Sequence, residues 1–322
     1  MKTVKHTEYG SPSLLQFAEV AIPTPKDDEV LVKIHAVSLN AYDWHILTAD
    51  IFLVRFEMGL TKPKATRIGA DIAGRVEAVG KNVTQFKPGD EVYGDLASCG
   101  GGGFAEYVTA PASYIAHKPA NLSFEKAAAV PMAAITALQG LRDVGKIQAG
   151  QKVLINGASG GVGTYAVQLA KYFGAEVTAV CSTRNVEMVR SLGADHIIDY
   201  KKENFTEANK KYDLILAVNG YHPLSAYKRC LRTNGIYAMA GGTSKQIFSA
   251  VLFGSLMSTQ GKKMGIVSAK PNQKDLNFMK KILEAEKVKP VIDKTYPLEE
   301  IAQALDYIGE GHARGKVVVT ME

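Results

Sequence analysis

One stretch, "KVLINGASGGVGTYAVQLAK" over residues 152–171, constrains this chain more tightly than any other. Its first five residues are a short apolar run of strand type, and Tyr165, Leu169 and Tyr172 then recur at helical spacing. Four glycines, Gly157, Gly160, Gly161 and Gly163, fill the turn between them. A helix that starts in such a turn leaves its first backbone N–H groups unpaired, and the helix dipole favours an anion there. A pyrophosphate can approach only where side chains are missing. The GxGxxG fingerprint of dinucleotide sites falls on residues 158–163, with Ala158 in place of the first glycine. Such a turn can serve packing alone, but a βαβ setting favours a dinucleotide. The expected contacts are Ser159, Gly160, Gly161, Val162 and Gly163.

The setting is of that kind. Beyond the turn, strand-like "EVTAVC", "HIIDY", "YDLILAV" and "IYAMAGG" alternate with helix-like "NVEMVRSLG" and "PLSAYKRCLRTNG". One helix between successive strands implies right-handed crossovers and a parallel sheet covered on both faces. The first third reads differently. In "EVLVKIHAV", Val30, Val32, Ile34 and Ala36 share one face, and "AGRVEAVG", "GDEVYG" and "GGGFAEYVTA" follow as short strands between glycine turns. That spacing belongs to a small barrel or sandwich. Near residue 125 an alanine-rich segment begins a linker helix. After residue 270 come two helices and a last strand, "GKVVVTM", which periodicity leaves free to join either half. The class is α/β, and 322 residues suit two domains.

Composition removes other classes. With 46% hydrophobic and 22% charged residues the chain is globular rather than disordered. Its net charge of +6 comes from scattered Lys and Arg, not from a stripe interleaved with aromatics, so no nucleic-acid partner is expected. A mild positive excess suits an anionic small molecule. Cys99, Cys181 and Cys230 lie far apart and form no CxxC, which argues against a disulfide framework or a zinc knuckle. The longest apolar-leaning run, residues 247–258, is too short to span a bilayer and reads as a buried helix or interface segment. "MKTVKHTEYG" shows no apolar run behind its lysines, so a cytoplasmic protein with no membrane partner is expected.

The choice of dinucleotide turns on the end of the second strand. A site for NAD places Asp or Glu roughly 20 residues beyond the glycine turn, on the ribose 2′-OH. Here "EVTAVC" runs into Ser182, Thr183, Arg184 and Asn185, with no acid before Glu187. Hydroxyls and a guanidinium suit a 2′-phosphate, so NADPH is the expected cofactor.

These residues carry a family resemblance. "GQKVLINGASGGVGTYAVQLAK" resembles the signature of the quinone oxidoreductase and ζ-crystallin branch of the medium-chain dehydrogenase/reductase superfamily. "GADIAGRVEAVGKNVTQFKPGDEVYG", "SLGADHIIDYK" and "GHARGKVVV" resemble its other landmarks, so the similarity spans essentially the whole chain. It implies a GroES-like β-barrel catalytic domain over 1–124 and 268–322. A doubly wound Rossmann domain over 125–267 would be inserted in it, with a cleft where the two meet.

Zinc-using members of the superfamily carry Cys-x-x-Asp where this chain has Asn40-Ala41-Tyr42-Asp43, and Gly-His-Glu where it has Gly69-Ala70-Asp71. The four-cysteine lobe is missing as well, Cys99 standing alone in that region. Zinc wants thiolate or imidazole in a near-tetrahedral set, so no metal is expected. The resemblance places Asn40 at the nicotinamide ribose or substrate oxygen, with Asp43 orienting its neighbours. His45, where relatives have Tyr or Lys, becomes a candidate donor to a developing enolate; Tyr42 is a second, and water a third source of the proton. Asp43-Trp44 reads equally well as the cap and packing of a short helix.

Thr136, Gly241 and Gly242 match family positions near the nicotinamide, Gly315 and Lys316 a C-terminal contact, and Tyr200 a tyrosine near the 2′-phosphate. Ala217 stands where an acid is common, and Asn219 is a candidate to compensate. The segment 48–69 is long and basic, a substrate lid or simply a mobile loop. The expected function is zinc-independent, NADPH-dependent hydride transfer to quinones or to the C=C bond of α,β-unsaturated carbonyls. The alternatives are an alcohol or carbonyl dehydrogenase of the same superfamily and a non-catalytic NADPH-binding protein. The expected partner is the small-molecule substrate, with assembly into a homodimer left open.

Overall fold

The computed structural model, which describes residues 1–52, 54–219, 222–242, 244–259 and 261–321, opens with an antiparallel pair, β1 (Lys2–Lys5) and β2 (Gln16–Glu19). The apolar alternation after it becomes β3 (Glu29–Leu39), the spine of the first sheet. Val30, Val32, Ile34 and Ala36 are all buried, while Lys33 between them is exposed. Helix α1 (Ala41–Thr48) starts where the Asp43 carboxylate accepts the backbone N–H of Asn40 at 2.9 Å, and it ends on left-handed Ala49. A short helix α2 (Val54–Met58) lies inside the segment expected as a loop. Leu53, beside it, is outside the described residues. Next come β4 (Asp71–Val79), β5 (Glu91–Asp95), β6 (Tyr107–Pro111), β7 (Ile115–His117) and α3 (Phe124–Ala128).

Helix α4 (Pro131–Gln139) runs on into a π-type turn over Gly140–Val144, which the Gly145 N–H closes on the Gly140 carbonyl at 2.9 Å. The βα alternation follows as β8 (Lys152–Asn156), α5 (Gly161–Tyr172), β9 (Glu176–Cys181), α6 (Val186–Ser191) and β10 (His196–Asp199). It continues through β11 (Tyr212–Ala217), α7 (Leu224–Cys230), β12 (Leu231–Met239), α8 (Ser244–Met257) and β13 (Lys263–Ile266). The six strands are parallel in the order β10-β9-β8-β11-β12-β13, the doubly wound dinucleotide order that reverses between its first and fourth strands. One element departs from its expected reach. The helix-like run from Pro223 stops at Cys230, because buried Leu231 already pairs with Tyr212 as strand.

The chain closes with α9 (Gln273–Glu284), β14 (Ile292–Pro297), α10 (Ile301–Gly309) and β15 (Lys316–Thr320). Strand β15 pairs antiparallel with β3, Val317 opposite Leu39, so the last strand lies in the first sheet, ordered β14-β15-β3-β4-β5-β7 with β6 also on β3. Two compact units result: Met1–Met132 with Lys270–Glu286 and Pro290–Glu322, and Ala133–Ala269 with Lys287–Lys289. In the first unit Val32, Leu39, Ile72, Val92, Val317 and Val319 share one core. Trp44 of α1 packs on α10, where a Cβ at Gly309 would lie 2.4 Å from its ring. Of the run 247–258, α8 leaves Phe248, Val251 and Leu252 exposed. No helix among the described residues is long and apolar enough to cross a membrane.

Candidate active site

In the second unit the expected cofactor residues collect at the carboxyl ends of the parallel strands, where open α/β sheets bind ligands. The turn after β8 carries Ser159–Gly163, that after β9 carries Ser182, Thr183 and Arg184, and Tyr200 follows β10. Asn219 follows β11, and Gly241 and Gly242 follow β12. Thr136, buried, lies on α4. The glycines of the turn do different things. At Gly163 a Cβ would sit 2.0 Å from the Gly157 carbonyl oxygen, so this residue lets α5 close onto β8. At Gly160 the nearest atom would be 3.9 Å away, which is open room. Gly160 is also the N-cap of α5 and provides no side-chain cap. The helix therefore offers uncapped N–H groups beside space for an anion, the arrangement a pyrophosphate needs.

The turn after β9 adds hydroxyls. Asn185, buried, donates from Nδ2 to Ser159 Oγ at 2.9 Å and to Ser182 Oγ at 3.2 Å. Its own Oδ1 is buried with no partner, an unfilled acceptor beside the site. Thr183 gives its proton to Asp199 Oδ2 at 2.6 Å, and the Lys201 N–H donates to Asp199 Oδ1 at 3.0 Å. The hydroxyl of Thr183 holds the Asp199 carboxyl below its ordinary value. The sequence showed no acid before Glu187, yet strand pairing brings Asp199 opposite Cys181 at the end of β9. Arg184 and Tyr200 are exposed. These residues fit a dinucleotide carrying phosphate.

In the first unit two of the expected catalytic residues, Asn40 and Asp43, sit on a buried ionic cluster, while His45 lies outside it, half-exposed. Lys316, on β15, donates from Nζ to the Leu39 carbonyl at 2.9 Å, to Asn40 Oδ1, and toward Asp71 Oδ2 at 3.5 Å. Three acceptors match the three N–H groups of an ammonium. The Asn40 amide is fully engaged, donating to Asp71 Oδ2 at 3.0 Å and to the Ser38 carbonyl at 3.3 Å. Asp43 accepts from the N–H groups of Asn40 and Ala70. Burial pushes Asp43 up to about 7 and Asp95, opposite Asp71 on the neighbouring strand, to about 8. Burial also lowers Lys316 from the usual lysine value, against the pull of Asp71 and Asp43. His45 bonds through Nδ1 to Asp50 Oδ1 at 2.7 Å, and the Tyr42 hydroxyl donates to the Ala97 carbonyl at 3.2 Å. At Gly315, φ is 105° and a Cβ would meet the Val291 carbonyl oxygen at 2.4 Å, so its freedom serves the β14–β15 pairing.

Where zinc-using relatives hold their ligands, this chain therefore has an amide, carboxylates and a buried lysine. A donor set that already encloses an ammonium does not fit a zinc ion. Among the described residues no group of three His, Cys, Asp or Glu is arranged to hold a metal. The burial of Lys316 carried no local signal, since Leu39 lies 277 residues away along the chain.

Residues 26–120 match the alcohol dehydrogenase GroES-like domain family, and residues 192–319 match the zinc-binding dehydrogenase family. The chain is 35% identical to a chloroplast envelope quinone oxidoreductase homolog of Arabidopsis thaliana, across 99% of this chain and 98% of that one. It is 34% identical to an NADPH-dependent alkenal/one oxidoreductase, chloroplastic, from the same plant, across 99% and 79%. The solved quinone oxidoreductase of Coxiella burnetii superposes with a TM-score of 0.89 at 27% identity, covering 100% of this chain and 99% of that one. The fold and the relatives define a nicotinamide-dependent oxidoreductase. The chain belongs to the medium-chain dehydrogenase/reductase superfamily, in its quinone oxidoreductase branch.

Proposed function

We propose that this enzyme uses NADPH to reduce quinones or the C=C bond of α,β-unsaturated carbonyls without a metal. The observation that carries the reading is the lysine-filled cluster around Asn40: with an ammonium among the donors, this set does not suit a Lewis-acid metal that would polarise an alcohol oxygen. Electron-poor acceptors are already polarised and need less. When bound, the dinucleotide supplies the hydride; the protein supplies orientation, exclusion of water and hydrogen bonds. The uncapped start of α5 holds the pyrophosphate, and Ser182 and Arg184 meet the 2′-phosphate, with Tyr200 and Lys201 beside it. Asp199, at the end of β10, already accepts from Thr183 and Lys201. His45, oriented by Asp50, is the proposed proton donor to the developing enolate.

A screen of quinones, enones and simple alcohols, followed at the NADPH absorbance, tests the reading. Turnover of quinones or enones is expected to persist in chelator; turnover of alcohols with stoichiometric zinc would overturn it. Arg184→Ala should raise KM for NADPH at least about tenfold and leave that for NADH nearly unchanged, since a charge-assisted hydrogen bond contributes roughly 1.5–3 kcal/mol. Equal loss for both cofactors would remove Arg184 from the phosphate.

A further inference from the structure

Asn185 occupies the first turn beyond β9 but does not cap α6, the helix it precedes. Its amide faces the other way, where Nδ2 places one N–H on Ser159 Oγ and one on Ser182 Oγ. A hydroxyl has one proton and two lone pairs, so a serine that accepts from Asn185 keeps its proton for another acceptor. The amide orientation follows from counting. Turned over, Asn185 would accept from both serines and leave two N–H donors buried where Oδ1 now lies alone. One unfilled acceptor costs less than two unfilled donors. Both hydroxyl protons are thereby directed away from Asn185. Thr183 next door has no such freedom, its proton being committed to Asp199.

We infer that Asn185 is a positioning residue that presets Ser159 and Ser182 as a pair of hydrogen-bond donors to the 2′-phosphate. The inference rests on the NADPH reading above. Two hydroxyls held on one nitrogen lie close enough for one phosphate group to accept from both. A ribose 2′-hydroxyl has a single oxygen and gains less from the pair. Discrimination between the two dinucleotides is therefore distributed: Arg184 supplies charge, and Asn185 supplies the direction of two protons without touching the ligand.

Calorimetric titration of the full chain with NADP⁺, NAD⁺ and 2′-AMP tests this without turnover. The unaltered protein should prefer NADP⁺. Asn185→Ala should weaken NADP⁺ and 2′-AMP about tenfold and NAD⁺ less than about twofold. Asn185→Asp keeps the size of the side chain but draws both protons inward, and should weaken NADP⁺ by about thirtyfold or more. In a Ser182→Ala background, Asn185→Ala should cost about threefold further rather than about tenfold, because part of its effect passes through that hydroxyl and the rest through Ser159. Equal affinity of the unaltered protein for NADP⁺ and NAD⁺ would overturn the 2′-phosphate reading itself. A preserved NADP⁺ preference in both Asn185 variants, or independent effects of Asn185 and Ser182, would overturn the role of Asn185 alone.

Discussion

At the scale of single residues, the site depends on which partner holds each proton. With Nδ1 of His45 on Asp50 at 2.7 Å, the ring is oriented and Nε2 is the nitrogen left to face a ligand. His45→Ala is expected to lower kcat by about tenfold or more while the KM for cofactor changes less than about twofold. A loss below about threefold would assign proton delivery to water. The sequence made the hydroxyls of Ser182 and Thr183 visible and could not separate them. Their difference comes from Asp199, which reaches Thr183 only because β10 pairs with β9. Asn185 stood in the sequence only as the residue after Arg184, with no role attached to it. Its function depends on Ser159, 26 residues upstream and on another turn.

At the scale of elements, the glycine turn separates into packing and binding positions that the fingerprint treats alike. Gly163→Ala places a methyl 2.0 Å from the Gly157 carbonyl oxygen and must push α5 away from β8. A loss of about 3 kcal/mol is expected from overpacking against backbone, read as a lowered urea midpoint. In Gly160→Val the Cβ would meet nothing closer than 3.9 Å, and the extended backbone of Gly160 accepts a side chain. Its stability should change by less than about 1 kcal/mol while dinucleotide binding falls by more than about tenfold. Loss of fold in Gly160→Val, or normal binding by it, would refute the division. The βα alternation was legible because each strand and helix has its own period. Periodicity left the destination of β15 open, since Val317, Val318 and Val319 are all buried, a pattern that suits either sheet, and only the family resemblance pointed to the first. Residues 223–235 were misjudged in extent because Leu231 counts as apolar in helix and strand alike.

At the scale of the whole molecule, the first unit carries buried charge that titrates near neutrality. Asp95, opposite Asp71, is raised from 3.8 to about 8, so the folded chain holds a proton there that the unfolded chain has released. The stability linked to that proton is fully present below 3.8 and is lost as pH rises through about 8. Asp95→Asn mimics the protonated carboxyl, and Ala97 can still donate to its oxygen. Melting followed from pH 6 to pH 9 should show the variant's advantage widening by on the order of 2 kcal/mol. A gap independent of pH would place the proton elsewhere. The pairing of β15 with β3 also bears on synthesis. All six strands of the parallel sheet leave the ribosome before Lys316 does, so the dinucleotide half can assemble on the nascent chain. The first sheet waits with the C-terminal half of β3 open along one edge, and Asp71 lacks its cation until β15 arrives. The strand that neutralises the cluster is thus made after the whole parallel sheet, and a chain stalled short of it would expose both an unpaired edge and an unmatched charge to the cell's proteases.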